Sequence, residues 1–173
     1  MLTEDEIEEI ASISDHIVFN SPAQLFRFHK KVKEVNPKIS ISLRVNPEYS
    51  ESPVDLYNPC GLYSRLGTTK ANFDEKVLEH IDGLNFHALC EQDVSALEGV
   101  LKAFESKFGS YIDRMKYINF GGGHHITRVD YDVDGLIRVN AQAQEFSIAG
   151  PLLQSRRVGI QIPERPGAII SFR

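Results

Sequence analysis

Short apolar segments alternate with longer amphipathic segments along the first 139 residues of the chain. The apolar segments have the length and composition of strands, and they begin near residues 16, 39, 84 and 117. In the longer segments, apolar residues recur every three or four positions, which is the period of a helix packed by one face. This alternation predicts a parallel sheet with crossover helices. Because four units cannot close an eight-stranded barrel, we expect a small open α/β domain or part of a barrel.

Capping residues predict where several of the helices begin and end. Thr3 and Glu6 have the spacing of a capping box at the start of the first helix. The dipeptide 21–22, serine then proline, places a capping hydroxyl before a proline at the first helical position. Asp93 is expected to cap the next long helix, and Gly109 is expected to follow its last turn.

Two segments show no sustained period of either kind. The first, residues 48–70, is longer than most connections in compact domains, and such loops often carry function. Asn72 with Glu75 then predicts the start of a helix. The second segment begins near residue 140, which predicts a division into residues 1–139 and an atypical tail, residues 140–173. The best strand candidate in that tail is residues 158–162.

Composition and charge exclude several classes of function. The 173 residues are 42% hydrophobic and 25% charged, with a net charge of −5. This balance argues against a nucleic-acid or anionic-membrane partner. No apolar run approaches the roughly 20 residues of a membrane span, and the N-terminus lacks a signal-peptide pattern. The two cysteines, Cys60 and Cys90, are expected to be free thiols in a reducing cytoplasm.

The candidate chemistry is concentrated at two predicted strand ends. His87 lies within the apolar segment 84–89, either as a hydrogen-bonded core residue or as a flat ring against an aromatic cofactor. The strand at 117–120 leads into Gly121, Gly122 and Gly123. Such a run is either a flexible turn or a close backbone approach to a ligand, and it suits a phosphate if a helix follows. It matches neither the dinucleotide-binding nor the Walker pattern.

Other polar residues near these strands admit two interpretations each. His124 and His125, with His87, suggest a metal site, but no accompanying ligand spacing supports it, so we predict none. Arg44, near the end of its predicted strand, is either an anion ligand or a solvated rim charge. Cys90 is either a nucleophile that needs a base or an inert thiol.

Four strings together resemble one known family. They are Leu-Arg-Val-Asn-Pro at residues 43–47, Tyr-Asn-Pro-Cys-Gly-Leu-Tyr-Ser-Arg-Leu-Gly at 57–67, Asn-Phe-His-Ala-Leu-Cys-Glu at 85–91 and Asn-Phe-Gly-Gly-Gly-His-His at 119–125. They are similar to strings of the carboxynorspermidine (carboxyspermidine) decarboxylases. That family belongs to the fold-type III pyridoxal-phosphate enzymes, with alanine racemase and the ornithine and diaminopimelate decarboxylases. The resemblance extends over roughly residues 5–138.

The resemblance implies a partial (β/α)8 TIM barrel of the alanine racemase N-terminal-domain type, truncated at both ends. Residues 1–139 would form the partial barrel, with pyridoxal 5'-phosphate at the C-terminal ends of the strands. His87 would stack on the pyridine ring, Arg44 would lie beside the cofactor, and the glycines would hold its phosphate. The residues expected to border the substrate are Ser64, Arg65, Cys90 and Glu91. The family's reaction is the loss of CO2 from carboxynorspermidine or carboxyspermidine, a small-molecule polyamine precursor.

The chain also departs from the family. The family's Schiff-base lysine would lie on a strand before Met1, and Lys38 and Lys116 lie at the wrong end of their strands to replace it. The family's Glu-Pro-Gly segment has only an interrupted counterpart at residues 163–167, so we assign Glu164 no role. We therefore expect no covalent cofactor and negligible turnover.

The family's C-terminal β-domain, which completes its homodimeric site, also lies outside the 173 residues, so we do not expect the dimer here. Two alternatives stay open. One is a non-catalytic module that binds pyridoxal phosphate or phosphate. The other is a metal-dependent barrel hydrolase that uses His87, His124 and His125.

Overall fold

A six-stranded parallel sheet organises the chain. The computed structural model describes residues 3–148 and the short strands at 157–158 and 169–171, with side chains for residues 3–143. The strands are β1 (His16–Phe19), β2 (Ser40–Arg44), β3 (Gly83–Asn85), β4 (Tyr117–Asn119), β5 (Arg157–Val158) and β6 (Ile169–Ser171). The helices are α1 (Glu4–Ile13), α2 (Pro22–Val35), α3 (Val94–Ile112) and α4 (Val133–Ile148). The prediction of an α/β fold with a parallel sheet is confirmed.

The spatial order of the strands is β5-β4-β3-β2-β1-β6. The four strands predicted from the sequence lie side by side in chain order, and each neighbouring pair is parallel. The two short strands pair with the outer edges of this arc, β5 with β4 and β6 with β1. Apart from Val158, the strand candidate at 158–162 lies outside the described residues.

The predicted caps at the first two helices are present. Thr3 and Glu6 form a reciprocal capping box, in which the Glu6 carboxylate accepts from the Thr3 N–H at 2.7 Å. Ser21 Oγ accepts from the Gln24 N–H at 3.3 Å, directly before the proline that opens α2. Local hydrogen bonding therefore fixes where the chain leaves a strand or loop and enters these helices.

Three local expectations differ from the structure. Gly109 lies inside α3, which continues to Ile112, so it does not follow the last turn. The helix expected from Asn72 is two short 3-10 turns, Lys70–Asn72 and Glu75–Glu79. After the glycines the chain makes turns until α4 begins at Val133, so no helix N-terminus follows the glycine run directly.

The helix α4 also extends past residue 139, after which the sequence shows no sustained period of apolar residues. The change therefore does not coincide with the end of an element, and the division of the chain at 139 stays a prediction. None of the helices in the described part of the chain is both long and apolar enough to cross a bilayer.

Alternation along the strands separates an apolar face from a polar one. Ile41 and Leu43 of β2, Leu84 of β3 and Ile118 of β4 are buried in the main core. The helices cover this face, and α3 alone contributes eight buried hydrophobic residues, Val94, Ala96, Leu97, Val100, Leu101, Phe104, Phe108 and Tyr111. The residues between them on the strands point to the opposite face, and many of these are polar. The second face therefore forms the interior of the arc.

A polar cluster ties the strands together at their N-terminal ends. Asp82 accepts hydrogen bonds from the Ile41 N–H at 3.1 Å and from Ser40 Oγ at 3.3 Å, and it pairs with Lys116 Nζ at 2.6 Å. The Ser40 and Tyr117 hydroxyls are also hydrogen-bonded to each other, at 3.1 Å. Burial opposes ionisation of Asp82, but the bonds from Lys116 and Ile41 outweigh it, so the pKa of this carboxyl is lowered.

We expect Asp82→Asn to lower the free energy of unfolding by about 1–2 kcal/mol at pH 7, because three donors lose a charged acceptor. A lowered folded-state pKa means that the carboxylate stabilises the fold above its unfolded pKa of about 3.9. This stability is lost as the pH falls through the lower folded value. Urea denaturation at several pH values should show the difference between variant and wild type shrinking below about pH 4.

The matched control is Glu79→Gln, which removes the same charge from an exposed position at the end of a 3-10 turn. It should change the free energy of unfolding by less than about 0.5 kcal/mol. Equal effects of the two substitutions, or an Asp82→Asn effect that does not depend on pH, would contradict the role of this cluster.

Candidate functional site

The predicted site residues meet at the C-terminal ends of β2, β3 and β4. Arg44 is the last residue of β2, His87 follows β3 by two residues, and Gly121 follows β4 by two residues. Because the carboxyl ends of parallel strands open on one edge of the sheet, these positions are neighbours in space. The side chain of His87 is exposed, although its neighbours Phe86 and Ala88 are buried, so the alternative of a buried core histidine is wrong.

The glycine turn lies directly against the His87 ring. The Gly122 N–H donates to His87 Nδ1 at 3.2 Å, and the Gly121 N–H donates to Asn119 Oδ1 at 2.8 Å. An imidazole nitrogen that accepts a hydrogen bond carries no proton, so the ring proton of a neutral His87 is on Nε2. The imidazole and the glycine amides therefore lie on the same side of the molecule, as the sequence predicts.

Two of the three glycines are required by close backbone packing. Gly121 and Gly123 have φ angles of +74° and +92°, which other residues rarely adopt. A Cβ atom on Gly121 would lie 2.4 Å from the Phe86 carbonyl oxygen, and one on Gly123 would lie 2.2 Å from the Leu89 carbonyl oxygen. A Cβ atom on Gly122 would meet His87 Cε1 at 3.8 Å, an ordinary contact. The segment carrying His87 thus leaves no room for side chains at two positions.

The three glycine amides are therefore not equivalent. Those of Gly121 and Gly122 donate to side chains of this chain. The Gly123 N–H donates to no acceptor within the described residues, while its carbonyl accepts from the Gln92 N–H at 3.0 Å. Of the three, Gly123 is the amide that can bind an anion without the loss of an existing hydrogen bond.

Arg44 is buried, with 6% of its surface exposed, so the alternative of a solvated rim charge is wrong. Its Nη2 donates to the His87 carbonyl oxygen at 3.2 Å, across from the neighbouring strand. Burial of a guanidinium is costly unless it is hydrogen-bonded, and this bond holds the backbone on which the imidazole is carried. Arg44 also lines the adjoining cavity, where it supplies positive charge.

A cavity of about 450 Å³ opens beside His87. The strand ends form one wall, and the long loop after β2 forms the other. The lining residues are Arg44, Leu56, Tyr57, Asn58, Pro59, Leu66, His87, Leu89 and Cys90. A larger cavity of about 630 Å³ lies between α3 and α4, but none of the predicted site residues lines it. The smaller cavity is therefore the better candidate for a ligand site, because the predicted site residues Arg44, His87 and Cys90 line it.

The loop that borders the cavity is held by an asparagine that sequence reasoning missed. Asn20, after β1, donates through Nδ2 to the Arg65 carbonyl oxygen and accepts from the Gly67 N–H, both at 2.8 Å. Ser64 Oγ donates to the Pro59 carbonyl oxygen at 2.6 Å and accepts from the Leu66 N–H. Ser64 thus shapes the loop, and it does not line the cavity.

Among the other border residues, only Cys90 lines the cavity, as an exposed free thiol. The side chain of Arg65 is exposed and lies outside the lining. Glu91 is also exposed, with a φ of +52° that is uncommon for a residue other than glycine. The structure therefore brings Cys90 to His87 and Arg44 and leaves the other predicted border residues at the periphery.

The neighbouring histidines have other partners. His124 Nδ1 bonds to the Tyr131 hydroxyl at 2.8 Å, and burial lowers the pKa of His124, which favours the neutral ring. Within the residues whose side chains are described, no three His, Cys, Asp or Glu groups are arranged to hold a metal ion. The alternative of a hydrolase built on His87, His124 and His125 therefore gains no support from the geometry.

Comparison with curated proteins gives clear relatives, although no protein-family model matches the chain. A carboxynorspermidine/carboxyspermidine decarboxylase of Campylobacter jejuni is 49% identical over 170 residues, 98% of this chain and 41% of that protein. A carboxyaminopropylagmatine decarboxylase of Synechocystis is 41% identical over 135 residues, 78% of this chain and 34% of the relative. A carboxynorspermidine/carboxyspermidine decarboxylase of Herminiimonas arsenicoxydans is 30% identical and is matched by 83% of this chain.

Solved structures give the same result for the fold. The carboxynorspermidine decarboxylase of Campylobacter jejuni, crystallised with norspermidine, superposes with a TM-score of 0.72 at 44% identity. The match covers 92% of this chain and 37% of that one. A diaminopimelate decarboxylase superposes with a TM-score of 0.55 at 17% identity, which shows the fold alone. The expectation of a partial barrel of the alanine racemase type is confirmed. By sequence and by fold, the chain is a homologue of the carboxynorspermidine/carboxyspermidine decarboxylases and spans about two fifths of their length.

Proposed function

We propose that the chain forms the part of a decarboxylase barrel that holds pyridoxal 5'-phosphate at the C-terminal ends of β2, β3 and β4. The observation that carries this proposal is the contact between His87 Nδ1 and the Gly122 N–H at the rim of the cavity. It fixes a flat ring beside a turn whose Gly123 amide has no acceptor among the described residues. The ring would stack on an aromatic ligand, and the amide beside it would bind an anionic group. Together they suit a ligand that is both aromatic and phosphorylated.

The proposed reaction is the loss of CO2 from a carboxylated polyamine precursor, carboxynorspermidine or carboxyspermidine, within polyamine biosynthesis. When bound, pyridoxal phosphate supplies an electron sink for the carbanion that forms as CO2 leaves. The chain's own residues bind the cofactor and orient it. Arg44 supports the backbone of His87 and supplies positive charge beside the cavity for an anionic group. The names of the relatives support this reaction for the family.

We further propose that the 173 residues alone bind the cofactor reversibly and do not turn over substrate. Among residues 3–143, no lysine lines the cavity next to His87. Lys70, which follows the loop, donates to the Tyr111 hydroxyl at 2.6 Å and lies over the Tyr111 ring. A lysine is the group through which pyridoxal phosphate is attached covalently. A non-catalytic binding unit is thus the function that we expect of this chain in isolation.

Borohydride reduction tests the absence of covalent attachment. Purified chain mixed with pyridoxal phosphate and then reduced should show no more phosphopyridoxyl adduct by mass spectrometry than the His87→Ala variant. The reason is that only scattered surface lysines can react in either protein. Stoichiometric labelling of one lysine in the unmodified chain, together with its loss in His87→Ala, would contradict the proposal.

The contribution of the His87 ring can be measured by equilibrium dialysis with pyridoxal phosphate. We expect His87→Ala to weaken binding about threefold to tenfold, since ring contacts are worth about 0.5–1.5 kcal/mol. His87→Phe should retain most of the affinity because it keeps a flat ring. The control is Ser52→Ala, a change in the long loop after β2 at a residue outside the cavity lining. Equal affinity of the His87→Ala variant and the unmodified chain would contradict the stacking role.

The role of the Gly123 amide has its own test in the same assay. Gly123→Ala should weaken pyridoxal phosphate binding by about tenfold or more, because the new Cβ atom displaces the turn and charge-assisted hydrogen bonds are worth about 1.5–3 kcal/mol. Gly122→Ala is the matched control, since its Cβ atom meets only an ordinary contact. Pyridoxal without the phosphate should bind all three proteins equally weakly. A loss that is equal for the two substitutions would argue against the selective role of Gly123.

A further inference from the structure

Asn119 connects the two segments that meet at the site. Its Oδ1 accepts from the Gly121 N–H at 2.8 Å, which closes a local turn at the start of the glycine run. Its backbone carbonyl oxygen accepts from the Phe86 N–H at 3.0 Å and from Asn85 Nδ2 at 3.3 Å. One residue at the end of β4 therefore holds both the turn and the chain directly before His87.

We propose that Asn119 is a positioning residue that sets the tautomer of His87 by aiming the Gly122 N–H at Nδ1. This inference deepens the proposed function, on which its relevance to a cofactor rests. The Asn119 amide oxygen fixes the Gly121 peptide, and the next peptide then points its N–H at the imidazole. With Nδ1 held as an acceptor, the single proton of the neutral ring is on Nε2.

The packing around the turn explains why the side chain of Asn119 matters as well as the glycines. The positive φ angles of Gly121 and Gly123 permit the turn, but glycine also populates other backbone regions at little cost. A bond from residue 119 to the amide two positions later selects one of these conformations. Arg44 holds the carbonyl end of His87, so the ring has a fixed backbone on one side and a fixed donor on the other.

The experiment is a nuclear magnetic resonance measurement on the cofactor-free chain labelled with 15N. A nitrogen–nitrogen coupling across the hydrogen bond between the Gly122 amide and His87 Nδ1 reports the contact directly. Long-range proton–nitrogen spectra of the histidine ring report the tautomer, and the signals that disappear in His87→Ala assign it. We expect the unmodified chain to show the coupling and the proton on Nε2.

The test compares three variants at Asn119. Asn119→Asp keeps an oxygen acceptor and should keep the coupling, whereas Asn119→Leu and the smaller Asn119→Ala lack it and should lose the coupling. The control Asn72→Leu removes an exposed asparagine whose side chain bonds only to Thr69. It should leave the His87 signals unchanged. Circular dichroism checks that each variant is folded.

Three outcomes would overturn the inference. The coupling could persist in a folded Asn119→Leu or Asn119→Ala variant, or His87 of the unmodified chain could carry its proton on Nδ1. If neither variant folds while Asn119→Asp folds and keeps the coupling, Asn119 stabilises the fold and does not act as a positioning residue for the ring. Because none of these measurements uses pyridoxal phosphate, they can succeed even where the proposed cofactor binding fails.

Discussion

The close approach of two backbone segments is the constraint on which the site depends. The turn after β4 packs on the chain after β3 so tightly that Cβ atoms on Gly121 and Gly123 would lie well inside the contact distance of the carbonyl oxygens of Phe86 and Leu89. Real Cβ atoms do not tolerate such contacts, so the absence of side chains is a condition of the packing. The hydrogen bond from Gly122 to the His87 ring exists only because this approach brings the two segments together.

Polar residues have different roles at the two ends of the strands. At the N-terminal ends, Asp82, Lys116, Ser40 and Tyr117 satisfy one another's polar groups and tie the strands together. At the C-terminal ends, the polar groups of Arg44 and His87 line a cavity. This division is typical of parallel α/β folds, in which the C-terminal ends carry the chemistry and the N-terminal ends carry stability. The strand β2 contributes to both ends, because Ser40 belongs to the stabilising cluster and Arg44 lines the cavity.

The sequence predicted those features that depend on nearby residues. Caps such as Ser21 and the position of His87 and the glycines at strand ends are local patterns, and they are confirmed. The sequence left open whether His87 is a core residue or faces a ligand, because its neighbours along the chain are apolar and are indeed buried. The roles of Asn20 and Asn119 in holding the loop and the turn were missed. The role of Asn20 depends on contacts between segments, whereas Asn119 closes a local turn and also accepts from the neighbouring segment through its backbone carbonyl.

The two walls of the cavity differ in what holds them. The strand-end wall is fixed by backbone packing and by the buried Arg44. The loop wall is fixed at its ends, where the Asn46 N–H donates to the Thr68 carbonyl oxygen at 2.8 Å and Ser50 Oγ donates to the Ala88 carbonyl oxygen at 2.6 Å. Between these ends, Leu56 lines the cavity although 83% of its surface is exposed. An apolar side chain left so accessible gains little from its own packing, so the loop wall keeps its shape through hydrogen bonds, both those at its ends and those that Ser64 makes within it.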